Sequence, residues 1–293
     1  MGRITARRRV ARYTVGERIS VREDHLAVEE PLELRVGGEA LTITMRTPGN
    51  DVELAQGFLL AEGIVNSPSH VLSAMHCASD GEENTYNILD ITLDPVVPPL
   101  ATGLRRAFST TSSCGLCGKA SIDAVRTTSA FDLRTDDTAV DAEFLATLPD
   151  RLRAGQSAFD KTGGLHAAAL FDVATGELLV LREDVGRHNA VDKAVGWALA
   201  NGHVPGRGLV LMVSGRASFE LTQKAFMAGI PILAAVSAPS SLAAEMADDV
   251  GLSLVGFVRD NRMVVYAGAE RVTNESTATA SSVTQRVARV RTA

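Results

Sequence analysis

The chain has 293 residues, 45% hydrophobic and 22% charged, with a formal net charge of −6. This is the make-up of an ordinary folded protein, and it excludes disordered, collagen-like and disulfide-stapled chains. The acidic balance gives no reason to expect whole-protein binding to nucleic acid or to an anionic membrane, so an anionic ligand has to be met by a local cluster of Arg, Lys and backbone N–H groups. No apolar run approaches the roughly 20 residues of a membrane span. Arg7-Arg8-Arg9 is not followed by the apolar stretch of an export signal, and three cysteines are too few for a secreted scaffold. The chain is therefore expected in the cytoplasm, with residues 1–12 a frayed basic tail.

The first block, 13–100, contains a hairpin signal. Leu32, Leu34 and Val36 alternate with polar residues, Gly37-Gly38 turns the chain, and Leu41, Ile43 and Met45 alternate again. Asn50 followed by Glu53 predicts a helix start; Leu54, Phe58, Leu59 and Ile64 supply an apolar stripe, and Gly63 a stop. Strand-like runs follow at 71–78 and 86–93. The order ββαββ suits a small α+β domain of β-grasp type. Pro95, Pro98 and Pro99 then break regular structure and mark a domain boundary.

The second block, 101–272, predicts one or two helical turns at 120–126 and a helix over 141–154. Runs at 165–171 and 178–181 flank Ala174-Thr175-Gly176 as a hairpin. A helix over 188–200 comes next, then alternating runs and helices: 209–213, 219–228, 232–236, 240–249, 252–258 and a returning run at 263–267. Strands alternating with helices imply right-handed βαβ units around a parallel core sheet, and burial on both faces explains the near-continuous apolar runs. The fold class is α/β, and 273–293 reads as a tail.

The sharpest chemical feature is Ser113-Cys114-Gly115-Leu116-Cys117-Gly118. Four readings stand open. A structural zinc site needs four ligands, and only Cys77, with His76, is at hand. A thioredoxin-like redox pair should have an aromatic or proline beside it, where Ser112 and Ser113 stand. The cysteines could be plain thiols, or Cys114 could carry sulfur. The surroundings favour reactivity. The flanks are small, Lys119 adds a positive charge, and a helix over 120–126 would aim its N-terminal dipole at the pair; each effect favours thiolate. A persulfide gains from the same field, and Cys117 could relay or release the sulfur by exchange. Zinc deaminase chemistry requires H-x-E and later P-C-x-x-C. Ser113 precedes Cys114, and none of the six histidines is followed two places on by Glu.

Two loops suit anions: Ser214-Gly215-Arg216, and 237–241, each at the carboxyl end of a strand and leading into a helix. Plain capping by Ser is the alternative for both. His166, after Gly163-Gly164, reads as a core or a site histidine with equal weight. Glu183-Asp184-Val185-Gly186-Arg187-His188-Asn189 packs both charge signs into one turn, readable as a solvated turn with internal ion pairs. Cys77, in an apolar run, reads as a core residue.

These motifs occur in an order that resembles the formate dehydrogenase accessory sulfurtransferase family (FdhD/NarQ), over about residues 13–272. The match rests on 113–119, Thr162-Gly163-Gly164-Leu165-His166, 183–190, and Ser214-Gly215-Arg216 with Pro231 after its helix. The resemblance implies a sulfurtransferase that takes persulfide sulfur from a cysteine desulfurase. It implies delivery to the molybdenum, or tungsten, bis(molybdopterin guanine dinucleotide) cofactor of formate dehydrogenase. It further implies a cytidine-deaminase-like mixed sheet with flanking helices, the persulfide on Cys114, and nucleotide contacts at Phe257-Val258-Arg259-Asp260-Asn261-Arg262. No structural metal is expected. A homodimer is expected, because the cofactor has two equivalent pterin-nucleotide halves and two-fold dimers are the commonest oligomers. A non-catalytic chaperone for the cofactor and a thiol–disulfide oxidoreductase remain as alternatives.

Overall fold

The computed structural model describes residues 4–78, 84–100 and 129–274. Strands β1 (Thr5–Arg12) and β2 (Ser20–Ala27) form a two-stranded antiparallel ribbon, with Thr5 opposite Ala27 and Arg12 opposite Ser20. This corrects the expectation of a frayed tail over 1–12. No residue of the ribbon is fully buried, so it carries none of the apolar alternation by which a half-buried strand is recognised.

β3 (Glu30–Val36) and β4 (Glu39–Arg46) are the expected hairpin. Gly37 and Gly38 take φ of 59° and 82°, the pair of positive values that a two-residue turn needs to match strand twist. α1 (Asp51–Ala61) follows, and the chain leaves it where Gly63 takes φ 71°. β5 (Val71–His76) and β6 (Ile88–Leu93) complete a four-stranded sheet of order β4-β3-β6-β5, with β3 and β6 parallel. Leu32, Leu34, Leu89 and Ile91 on one face of this sheet are fully buried in a cluster with Leu54 and Leu59 of α1.

Beyond residue 129, β7 (Val140–Asp141) leads into α2 (Ala142–Gly155), capped by the Asp141 carboxylate, which accepts from the Glu143 N–H at 2.6 Å. The short α3 (Ser157–Thr162), absent from the sequence reading, precedes the hairpin β8 (His166–Asp172) and β9 (Leu178–Asp184). Then come α4 (Arg187–Ala200), β10 (Leu209–Val213), α5 (Phe219–Met227), β11 (Ile232–Ala235), α6 (Ser241–Val250), β12 (Ser253–Arg259) and β13 (Arg262–Ala267). β14 (Val272–Thr273) pairs with β7. The large sheet has the order β13-β12-β11-β10-β8-β9. Only β10, β11 and β12 are parallel; β8, β9 and β13 join by antiparallel pairing, giving a mixed α/β fold.

Residues along each central strand point alternately to two cores. Leu209, Leu211, Val213, Leu233 and Leu254 face α4, α5 and α6. Val210, Met212, Ile232 and Val255 face Leu145, Leu148 and Leu152 of α2. The break at 95–100 separates two sheets, yet the first core runs across it, from Leu32 and Leu54 to Val191 and Leu211. α1 lies against α4 closely enough that a Cβ on Gly57 would stand 1.9 Å from the Asp192 carbonyl oxygen. One on Gly196 would stand 1.8 Å from that of Glu53. Two glycines, one per helix, thus set the distance between the two halves. Among the described residues no helix is long and apolar enough to cross a membrane.

Candidate functional site

Parallel β10, β11 and β12 end on one edge of the large sheet. β8 runs the other way and starts there: His166, its first residue, is opposite Asp184, the last of β9. The N-termini of α4, α5 and α6 therefore gather at this edge with the loops after β10 and β11 and the β12–β13 turn, where ligands of such sheets collect. Backbone bonds join the loops into one ledge. Ser237 N–H donates to Gly215 O at 3.3 Å, Ser240 N–H to Ala217 O at 3.0 Å, and Phe257 N–H to Ser237 O at 3.2 Å. Both anion loops of the sequence, 214–216 and 237–241, are brought to this ledge, together with the 257–262 stretch that the family resemblance implies.

The turn is built for projection. Arg259 and Arg262 are paired across Asp260 and Asn261, which take φ of 52° and 54°, a two-residue hairpin turn with both central residues left-handed. A register shift lies between Gly256 and Arg259, and within it Phe257 has φ 53°, a conformation bulky residues seldom adopt. The strain leaves Phe257 half-buried, with the Arg259 guanidinium carbon 5.8 Å from its ring centre. Arg259, Asp260, Asn261 and Arg262 are exposed. Val258 is fully buried with the α2 leucines, so it anchors the turn and does not face a ligand. Phe257, Asn261 and Arg262 border a groove of about 850 Å³ whose other wall is Glu143 and Thr147 of α2. The sequence reading passed over those two, since nothing in a helix's first turns tells which strand end it will face.

A second groove, of about 640 Å³, is lined by Gly163, Gly164, His166, Ser214, Arg153 and Gln156, among others. Burial first, and then the nearby Arg187 charge, lower the His166 pKa, so the ring is neutral at pH 7. The Ser214 hydroxyl accepts from the Ala167 N–H at 2.9 Å, which leaves its own proton free to donate. Arg187 keeps a buried Nε with no partner among the described residues.

The run 183–189 is not a solvated turn. Asp184 is fully buried and receives Thr47 N–H at 3.1 Å, Gly186 N–H at 2.8 Å, the Asn189 amide at 3.1 Å and Lys193 Nζ at 2.7 Å. Asn189 also donates to Met45 O at 2.7 Å, and Lys193 to Thr47 O at 2.8 Å. These contacts hold the end of β4 against the start of α4, so the motif fastens the small sheet beside the edge. Glu183 accepts from the Ala158 and Phe159 N–H groups of α3 at 2.9 and 2.8 Å. One helix turn further in, Lys224 meets Asp192 at 2.7 Å and Glu220 at 3.5 Å, and His188 meets Glu220 at 3.4 Å. Burial pushes the Glu220 carboxyl up to about 7 and that of Asp192 up to about 6, against the pull of Lys224.

Cys114 and Cys117 lie outside the described residues, as does the expected helix at 120–126. Cys77 stands just past β5 and is half-exposed, its Sγ 3.6 Å from Met75 O, which corrects its reading as a core residue. The apolar run ends one residue before it.

The sequence model of the FdhD/NarQ family matches residues 27–273, and the chain belongs to that family. It is 56% identical over 95% of its length to the sulfur carrier protein FdhD of Nocardia farcinica, 98% of which is covered. It is 58% identical to the sulfur carrier protein FdhD of Streptomyces coelicolor, over 93% of this chain and 97% of that one. A candidate formate dehydrogenase accessory protein from Desulfotalea psychrophila shares the fold, with a TM-score of 0.72 at 21% identity over 92% of this chain and 100% of that one.

Proposed function

We propose that this chain is a sulfur carrier in the maturation of formate dehydrogenase and that Cys114 bears the sulfur. The observation that carries the reading is family membership across both sheets, with relatives above 50% identity that bear the sulfur carrier name. The Cys114 thiolate attacks the outer sulfur of a cysteine desulfurase persulfide. The S–S bond of the donor breaks, the donor leaves as thiolate, and Cys114 becomes the persulfide. In the next step Cys117 thiolate attacks the Cys114 sulfur. A Cys114–Cys117 disulfide forms, and the outer sulfur departs as sulfide carrying both electrons, in the oxidation state a metal ligand requires. Thiolate character at both cysteines sets these rates.

The acceptor in this reading is the molybdenum or tungsten bis(molybdopterin guanine dinucleotide) cofactor. Its nucleotide ends sit at the β12–β13 turn, where Arg259 and Arg262 project beside the 850 Å³ groove and Phe257 offers a ring face. The 214–216 loop supplies a further Arg and helix N–H groups on the same ledge. A two-fold ligand is matched by a homodimer, the location is the cytoplasm, and the large sheet is of cytidine-deaminase type without its zinc. Incubation with a cysteine desulfurase and labelled cysteine, followed by mass spectrometry, tests the carrier step. The expected result is a gain of about 32 Da on Cys114, one sulfur atom on a thiol, lost in Cys114→Ala. An unmodified wild-type chain, or equal loading of Cys114→Ala, would sink the assignment.

A further inference from the structure

The β1–β2 ribbon plays no part in either core. Its strands pair only with each other, and such a two-stranded unit is marginal in water unless something packs on it. Its base is packed on the body, where β2 lies against α3 and a Cβ on Gly164 would stand 3.8 Å from that of Ala27. Further out, Tyr13, Val15, Ile19 and Val21 are between 56% and 102% exposed, four large apolar side chains around one tip. The family model begins at residue 27, the last residue of β2.

Charge separates the ribbon from the rest. Residues 5–27 hold six arginines against three carboxylates, a balance of +3; the whole chain is −6, so the remainder carries −9. The ribbon's ion pair is Arg7 with Glu23, exposed and at 3.9 Å, which contributes little. Arg8, Arg9 and Arg12 have no ion pair among the described residues.

We infer that the ribbon is an arm that docks on a second copy of this chain. A strip of net charge +3 meets a remainder of −9 in every other copy, which gives an attraction, and docking there would bury Tyr13, Val15 and Ile19. The alternative of joining two ribbons edge to edge through β1, with the two-fold at Arg8, sets Arg8 against Arg8 and Arg7 against Arg9, and like charges directly opposite destabilise a ladder. The arm therefore crosses to the partner's body, and two-fold symmetry makes the exchange reciprocal. The inference rests on the homodimer of the proposed function and adds the surface that forms it.

Sedimentation velocity on the full chain at micromolar concentration is the test, with Arg8→Gln/Arg9→Gln compared with a control of equal charge change, Arg35→Gln/Arg207→Gln. The expected outcome is a wild-type dimer that loosens about tenfold, or 1.4 kcal/mol, in the ribbon variant, with less than about a twofold change in the control. Raising the salt to about 0.5 M weakens the wild-type dimer in the same direction, because exposed charges are screened. Arg8, Arg9 and Arg207 are exposed and Arg35 is half-buried and paired with Glu33, and far-UV circular dichroism of both variants should match wild type. A dimer that holds equally in ribbon variant and wild type overturns the arm and leaves the homodimer standing. A wild-type monomer overturns both.

Discussion

Arg262 concentrates what the site asks of single side chains. The chain as a whole repels polyanions, so phosphate must be gripped by a few arginines, and an Arg offers two N–H groups at once. Arg262→Ala is expected to weaken GDP binding by about 1.5–3 kcal/mol, the loss of a charged hydrogen bond, while loading of Cys114 with sulfur persists. Calorimetric titration reads the first and mass spectrometry the second. Unchanged affinity in both Arg259→Ala and Arg262→Ala would move the nucleotide to the 214–216 loop. Glu220 concerns stability instead. Its folded pKa of about 7 lies above the ordinary 4.5, so between those values the folded state binds more protons than the unfolded one. Its contribution to stability therefore falls as the pH rises through this window, and the cost is fully present above 7. Glu220→Gln is expected to raise the melting temperature at pH 8, by a stability gain on the order of 1 kcal/mol, and to change it little at pH 5. An equal shift at both pH values would mean that the carboxyl does not titrate there.

Among the elements, α1 and α4 depend on what they lack. Alanine in place of a helical glycine ordinarily gains up to about 1 kcal/mol. At Gly196 the added carbon would stand 1.8 Å from the backbone oxygen of Glu53, and backbone cannot rotate away as a side chain can. Gly196→Ala is therefore expected to destabilise the protein by about 1–3 kcal/mol, the usual cost of overpacking, seen as a lower urea midpoint. The β12–β13 turn shows how much local chemistry the sequence discloses. Asp260-Asn261 between two apolar runs announces a tight turn, since Asn and Asp tolerate left-handed backbone. The register shift before it is not announced: Phe257 reads as one more strand residue, and only pairing against β13 shows that Phe257 and Val258 together stand opposite Met263, one residue extra.

On the scale of the whole molecule the two sheets form one folding unit. Leu32, Leu54, Val191 and Leu211 share a core, Arg182 of β9 reaches the Glu53 carboxylate of α1 at 2.7 Å, and Asp184 and Lys193 hold the backbone at Thr47. A fragment of residues 101–293 would expose the α1-facing side of α4 and leave Asp184 short of its Thr47 N–H. It is expected to be unfolded or aggregated, with circular dichroism and light scattering as the readout; a soluble fragment with native helix content would show two independent domains. The proline-rich stretch at 95–100 suggests a boundary because a linker and a mere crossing between sheets share the same turn chemistry.

The sequence by itself determined the hairpin at β3–β4, the helices α1, α2, α4, α5 and α6, the buried central strands and the family, because each is written in local terms: period, turn residues, or an ordered set of motifs. Only the tertiary structure decided that 214–216 and 257–262 lie on one ledge, since their approach depends on β10, β11 and β12 being neighbours in one sheet. It alone decided that Glu183, Asp184 and Asn189 fasten two sheets together; in sequence a buried and a solvated ion pair look alike, and burial depends on what other segments cover. It also decided that the arginine-rich start is a paired ribbon, because a strand with no fully buried residue has no apolar rhythm to betray it.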